Sequence, residues 1–397
     1  MSGTPRTDAA QWALRAQAAA DAVNVGFGHR LLGLPCTWLA SVHSPGPHPA
    51  PPGRFRRPSI RHLTPWAHWH YWWQAHYLDT LVDLAWRQRT EHGTGTGTGA
   101  GGPAPFVQSR RLLRTIRVRN FLRLTNSYYD DMAWLALAAG RLEALALEIN
   151  NRGLRSARRA GAVLETQLIR AHTNDLGGGI FWSRKRDYKN TPATGPSALH
   201  FARSGRPLRA QQLLDWLHST LFDPEQGLYM DGVHPHPAGP EIERTIYSYN
   251  QGPVLGAMLE LGGERNLAHA ADLIDAVAHH LTIALTADDG GTRRPLRLHG
   301  GGDGGLFTGI LIRYLTIAAR HSALPERTRR LAENLVLDTA EELWAGRSPG
   351  PRPIFSSDIG PPAAATYKTP QPVEFSTQLQ AWMAFESSFR LTASSDF

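Results

Sequence analysis

The chain has 397 residues, of which 42% are hydrophobic and 19% charged, with a formal net charge of +8. That supplies enough apolar material for one large core or two ordinary ones. Its single cysteine excludes an internal disulfide and any multi-cysteine zinc or iron–sulfur site.

The N-terminus, Met-Ser-Gly-Thr-Pro-Arg-Thr-Asp, lacks a long apolar h-region. A cytoplasmic protein is the simplest expectation, and export stays open. No apolar run reaches the roughly 18 residues of a membrane span. Residues 7–24 are alanine-rich and read as a helix. Cys36 sits in Leu-Gly-Leu-Pro-Cys-Thr-Trp-Leu, an apolar setting that predicts a buried, inert thiol. Residues 44–58 are proline-rich and cannot continue a helix. Residues 66–90 carry Trp69, Trp72, Trp73, Tyr77, Leu81 and Leu84 at helical spacing. His68, His70 and His76 in that stretch lack the one-turn spacing of a helical zinc pair, so no metal site is read there. Residues 93–102 are a Gly-Thr repeat of low complexity. Both biased segments, 44–58 and 93–102, read as loop insertions between helices.

Arginines cluster at 110–119 and 152–159. No nucleic-acid module accompanies them, so solvated helix faces or weak attraction to an anionic polymer are favoured over nucleic-acid binding. The only lysines are Lys185, Lys189 and Lys368. None follows a glycine, which excludes a standard P-loop. Helical patterns continue at 128–148, 154–172, 191–203, 207–221, 247–261, 264–285, 305–323, 325–345 and 373–393. Asn-Arg-Gly, Asp-Pro-Glu-Gln-Gly and Gly-Gly punctuate the gaps. Strand-like alternation is nearly absent. Eleven or twelve helices in consecutive hairpins predict an all-α toroid, one domain over residues 1–397. Gly346-Arg347-Ser348-Pro349-Gly350 matches a serine-hydrolase elbow by letter, but Pro349 has no N–H for the oxyanion donor. It reads as a turn.

The strongest local signal is Tyr128-Tyr129-Asp130-Asp131-Met132-Ala133-Trp134. Acids at a helix start cap it, and on spacing alone that is the commoner explanation. The flanking Tyr128, Tyr129 and Trp134 offer flat surfaces that suit sugar rings, although aromatics at helical spacing are more often core. Two carboxyls about 5–5.5 Å apart serve a retaining glycosidase, and about 6.5–9.5 Å an inverting one.

At this motif the chain resembles glycoside hydrolase family 76, the α-1,6-mannanases built on an (α/α)6 barrel. Asp130-Asp131-Met132-Ala133-Trp134 resembles the family's catalytic motif. Gly177-Gly178-Gly179-Ile180-Phe181-Trp182 is similar to its glycine-rich segment, and Asp187-Tyr188-Lys189-Asn190-Thr191 to its Lys-Asn helix start. Asp231-Gly232, Tyr249-Asn250-Gln251-Gly252 and Leu306-Phe307-Thr308-Gly309-Ile310 follow in family order. Thr308 replaces the usual lysine, and Phe181 stands in an aromatic doublet often made of tryptophans. The resemblance implies a retaining, endo-acting hydrolase of α-mannan or mannooligosaccharides. In it Asp130 is the nucleophile and Asp131 the general acid/base. Trp182, Asp187, Asn190, Asp231, Tyr249, Asn250 and Gln251 join Tyr129 and Trp134 as substrate contacts, with capping as the alternative for Asp187, Asn190, Tyr249, Asn250 and Gln251, and a plain Asp-Gly turn for Asp231. The chemistry requires no metal or other cofactor, and a monomer is expected. Two alternatives share the scaffold: a sugar isomerase or epimerase using His68, His70 or His299 as proton shuttles, and a noncatalytic glycan-binding protein.

Overall fold

A computed structural model describes residues 7–44, 69–92, 105–286, 291–368 and 371–393. The segments 93–102 and 44–58, apart from Ser44, lie outside these residues, as does His68. Thirteen helices are present among the described residues. They are α1 (Ala9–Gly26), α2 (Tyr71–His92), α3 (Pro105–Arg119), α4 (Tyr129–Asn150), α5 (Arg155–Ala171), α6 (Thr191–Arg203) and α7 (Pro207–Thr220). They continue as α8 (Ser248–Leu261), α9 (Glu264–His280), α10 (Gly304–Ala319), α11 (Glu326–Ala345), the single turn α12 (Ala363–Thr366) and α13 (Phe375–Thr392).

Burial sorts the long helices into two rings. In α13 every residue from Phe375 to Phe389 is buried, and in α6 every residue from Thr191 to Phe201. Such helices must be surrounded. The outer helices bury one stripe: α5 hides Ala157, Ala160, Leu164, Leu168 and Ala171, spaced three and four apart. The inner helices α2, α4, α6, α8, α10 and α13 pack each on the next, and α13 returns to α2. Outside them α3, α5, α7, α9, α11 and α1 back α2, α4, α6, α8, α10 and α13 in turn. This closed double ring is an (α/α)6 barrel.

The barrel axis holds ions as well as hydrocarbon. Arg313 of α10 places Nη1 2.8 Å from both Asp79 Oδ2 and Asp83 Oδ2 of α2. Arg141 of α4 bridges the same two carboxylates. Buried charges are tolerated only when paired, so this cluster ties three inner helices together beneath the site. Arg87 pairs Glu386 at 2.9 Å and links α2 to α13 in the same way.

Among the described residues strands are limited to two or three residues. The largest ladder is antiparallel and joins Lys189–Asn190, Gly232–His234 and Glu241–Glu243, with Asn190 opposite Gly232 and Gly232 opposite Glu243. It stands at the mouth of the barrel, at the start of α6.

Cys36 departs from expectation. It is exposed, in a turn where its φ is +59°, between the buried anchors Leu31 and Thr37. Those anchors satisfy the apolar pattern, and the left-handed turn between them sends the thiol outward. Ser348 closes a turn with Ile354 through its backbone N–H and its hydroxyl.

Gly179 has φ +72°, and a Cβ there would lie 2.5 Å from the Trp216 ring. Gly179→Ala combines left-handed strain with a ring clash. It should destabilise the fold by about 2–4 kcal/mol, read as a lowered thermal midpoint.

Candidate active site

Five of the six inner helices present their first turns to one cleft of about 940 Å³. Trp72 comes from α2, Asp130 and Asp131 from α4, Asn190 precedes α6, Tyr249 opens α8, and Phe307 opens α10. The helix N-termini therefore converge, and their positive dipole ends face the acids.

Asp130 and Asp131 occupy the first turn of α4, after the N-cap Tyr128, which makes no side-chain cap bond. Their carboxyls are differently held. Asp130 Oδ2 accepts from Trp182 Nε1 at 2.9 Å, and its Oδ1 accepts from the Asp131 backbone N–H at 2.8 Å. Asp131 is buried and accepts from Asn126 Nδ2. Burial pushes the Asp130 carboxyl up to about 7, against the pull of its two donors. Burial lifts Asp131 well above the carboxylate range too, and the neighbouring Asp130 charge adds to it. Asp303, across the cleft, raises both. Close acids with unequal donors ionise in sequence, and the better-solvated of the two by hydrogen bonds is Asp130.

A third carboxylate, part-buried, stands in the cleft wall. Asp231 Oδ2 accepts from Tyr188 OH at 2.6 Å, and Oδ1 from Asn250 Nδ2 at 3.1 Å. Burial raises its pKa, and these two donors oppose the rise. Gly232 beside it has no room for a side chain: a Cβ would meet Lys189 O at 2.5 Å and the Tyr188 ring at 2.6 Å. Asp303 Oδ1 accepts from Trp73 Nε1 at 2.9 Å, with His70 Nδ1 at 4.0 Å.

Aromatic rings form the walls. Tyr249 stacks on Phe307 with centroids 3.9 Å apart, and Trp72 lies 6.5 Å from Tyr249. On the facing side Tyr128 and Trp182, both part-exposed, sit 5.0 Å apart. Flat apolar faces beside carboxylates suit pyranose rings, whose C–H faces stack and whose hydroxyls hydrogen-bond.

Residues 48–392 match the family model described as Glycosyl hydrolase family 76. The chain belongs to this family. No curated protein is significantly similar in sequence. Among solved structures, the family 76 chain is similar to the α-1,6-mannanase GH76A of a Salegentibacter species, at 26% identity and TM-score 0.73. The match covers 95% of this chain and 98% of that one. An inactive variant of that mannanase, with two consecutive aspartates changed to asparagine and α-1,6-mannotriose bound, matches at 25% identity and TM-score 0.73. That match covers 96% and 99% of the two chains. Bt3792 of Bacteroides thetaiotaomicron, a family 76 mannosidase, shares the fold at 16% identity and TM-score 0.70, over 96% of this chain and 98% of that one.

In the family 76 chain the cleft lining brings together Asp130, Asp131, Trp134, Trp182, Asn190, Asp231 and Tyr249. Asn190 does two jobs, since its Oδ1 also accepts from Ala193 N at 3.1 Å as the cap of α6. Four other candidates are not part of the lining. Tyr129 is buried and donates its backbone N–H to Trp182 O at 2.8 Å. Asn250 is buried and reaches the cleft through Asp231. Gln251 is fully buried and pins Tyr229 and Tyr247 by backbone hydrogen bonds of 2.9–3.0 Å. Asp187 is exposed, and its carbonyl lies 3.1 Å from His234 Nδ1. Asp303, Tyr188, Asn126 and Glu243 were not singled out from sequence. Asp303 hides in a glycine run, and Asn126 precedes the motif by a turn, so neither carries a local signal.

Because folded-state values above the ordinary 3.8 make ionisation costly to the fold, the stabilisation by these acids is full below pH 4. It is lost as pH rises through about 7 and beyond. Asp131→Asn should therefore raise the thermal midpoint by several degrees at pH 8, with the gain shrinking toward pH 4 in calorimetric scans.

Proposed function

We propose that the chain is a retaining, endo-acting glycoside hydrolase that cleaves α-1,6-mannosidic bonds in mannan. The observation that carries this is the unequal holding of two consecutive acids in an aromatic cleft. Trp182 Nε1 and the Asp131 N–H both donate to Asp130. They favour its anion, while burial beside that anion keeps the proton on Asp131. Asp130 thus attacks the anomeric carbon as the bond to the leaving oxygen breaks, and a mannosyl ester forms. Asp131 gives its proton to the departing oxygen, then takes one from the incoming water, which displaces Asp130. Supporting the substrate class, the similar Salegentibacter mannanase loses activity when two consecutive aspartates are replaced, and holds an α-1,6-mannotriose. In this reading Asp231, which Tyr188 and Asn250 hold, and Asp303 accept hydrogen bonds from sugar hydroxyls, a role their position in the cleft lining supports. An open cleft lined by rings at both sides suits several consecutive sugars, which supports internal cleavage.

Asp130→Asn and Asp131→Asn should each lower kcat on α-1,6-mannan by about a thousandfold or more. Near-normal turnover of Asp130→Asn would overturn the assignment. Trp182→Phe removes a donor that lowers the Asp130 pKa. The acid limb of its kcat/KM profile should move to higher pH, a shift that loss of ring stacking alone would not produce.

A further inference from the structure

The strongest charged feature outside the cleft is a groove of about 700 Å³ on the barrel wall between α3 and α5. Six arginines line it: Arg110, Arg111, Arg114, Arg117, Arg155 and Arg159. Among the described residues none of the six forms an ion pair, and no carboxylate lines the groove. Arg110, Arg114 and Arg117 recur at helical spacing along the exposed face of α3. Six guanidiniums on one wall repel one another, an arrangement that calls for an anionic counterpart. The floor between them is apolar, with Val107, Leu113, Leu124 and Leu154.

Beside this groove the chain exposes large apolar side chains. Phe121 and Leu122, just after α3, are 76% and 65% exposed. Leu32 and Leu34, in the loop whose Cys36 lines the same groove, are 44% and 47% exposed. Phe121 and Leu122 have φ of +54° and +61°, values bulky residues rarely adopt. Their loop is nonetheless held firmly. Arg117 Nε donates to Leu122 O at 3.0 Å, and Asn120 Nδ2 donates to Arg123 O and Thr125 O at 3.0–3.1 Å. Apolar tips held outward on a fixed loop, next to unpaired arginines, point to a ligand that is oily and anionic at once.

We propose that this face seats the protein on an anionic phospholipid membrane. Phe121 and Leu122 enter the acyl boundary, and the arginines of α3 hold lipid phosphates, which guanidinium forks match. The same loop continues into Asn126, Ser127 and Tyr128, which line the cleft. Docking here therefore brings the cleft mouth close to the bilayer surface, where a polysaccharide anchored in it would lie. The proposal does not rest on the reaction assigned above.

The test is co-sedimentation of the purified chain with vesicles of equal parts phosphatidylglycerol and phosphatidylcholine, beside vesicles of phosphatidylcholine alone. The mixed vesicles should carry the chain down and the neutral ones should not, and added salt should weaken the binding. Phe121→Ser with Leu122→Ser, and separately Arg110→Glu with Arg114→Glu, should each lower partitioning by roughly tenfold or more. Both double variants should keep the unaltered melting temperature, because all four side chains are exposed. Leu208→Ser, at an 82% exposed position on α7, should bind as the unaltered chain does. Equal binding to both vesicle types, or to neither, would overturn the proposal. So would loss on changing the arginines with no effect from the apolar pair, which would mark a site for soluble anions.

Discussion

Lys189 places its ammonium among the carbonyls of Thr173, Asp175 and Gly178, fully buried, with the Phe181 ring 4.6 Å away. Burial lowers its pKa to about 8, still on the charged side of neutrality. A buried cation needs such acceptors, and charge-assisted bonds to carbonyls are strong. The glycine-rich segment is folded around that charge. Its closing residue Trp182 donates its backbone N–H to Tyr188 O at 2.7 Å and accepts from the Tyr129 N–H at 2.8 Å. The Trp182 indole is thereby aimed at Asp130. One buried lysine, through one loop, sets the donor that separates the two catalytic candidates.

The barrel supplies the rest of that separation. Closing six helices into a ring brings their N-termini together, so residues from positions 69 to 307 meet in one cleft. The ring also removes water from the two acids, which raises both pKa values. Hydrogen bonds from Trp182 and the α4 backbone then act against that burial at Asp130, while Asp131 has the single donor Asn126. Two residues of the same type, adjacent in sequence, acquire different proton affinities from their surroundings.

Much of this was legible in the sequence. Helical periodicity located eleven of the twelve long helices among the described residues, and the ordered motifs gave the family and hence the barrel. The helix that periodicity missed is α3. Its buried stripe includes Gln108, Ser109 and Thr115, and five arginines dilute its apolar signal. Boundaries drifted where tertiary ladders cut helices short: α9 ends at His280, and Leu285–Thr286 pairs with Thr292–Arg293. In the cleft, residues within helix-start motifs were visible, while Asp303, Tyr188 and Asn126 depend on partners far along the chain or on hydrogen bonds that no spacing encodes. Cys36 shows the opposite error, since apolar neighbours in sequence do not bury a side chain that a left-handed turn sends outward.

The central claim is that Asp130, the acid with two donors, is the one that attacks. Mass spectrometry of the chain after reaction with a manno-configured, mechanism-based inactivator tests it most directly. The account predicts a single sugar ester on the peptide containing Asp130, with fragmentation placing it on that residue. An ester on Asp131 instead, or no ester alongside products of inverted anomeric configuration, would contradict it.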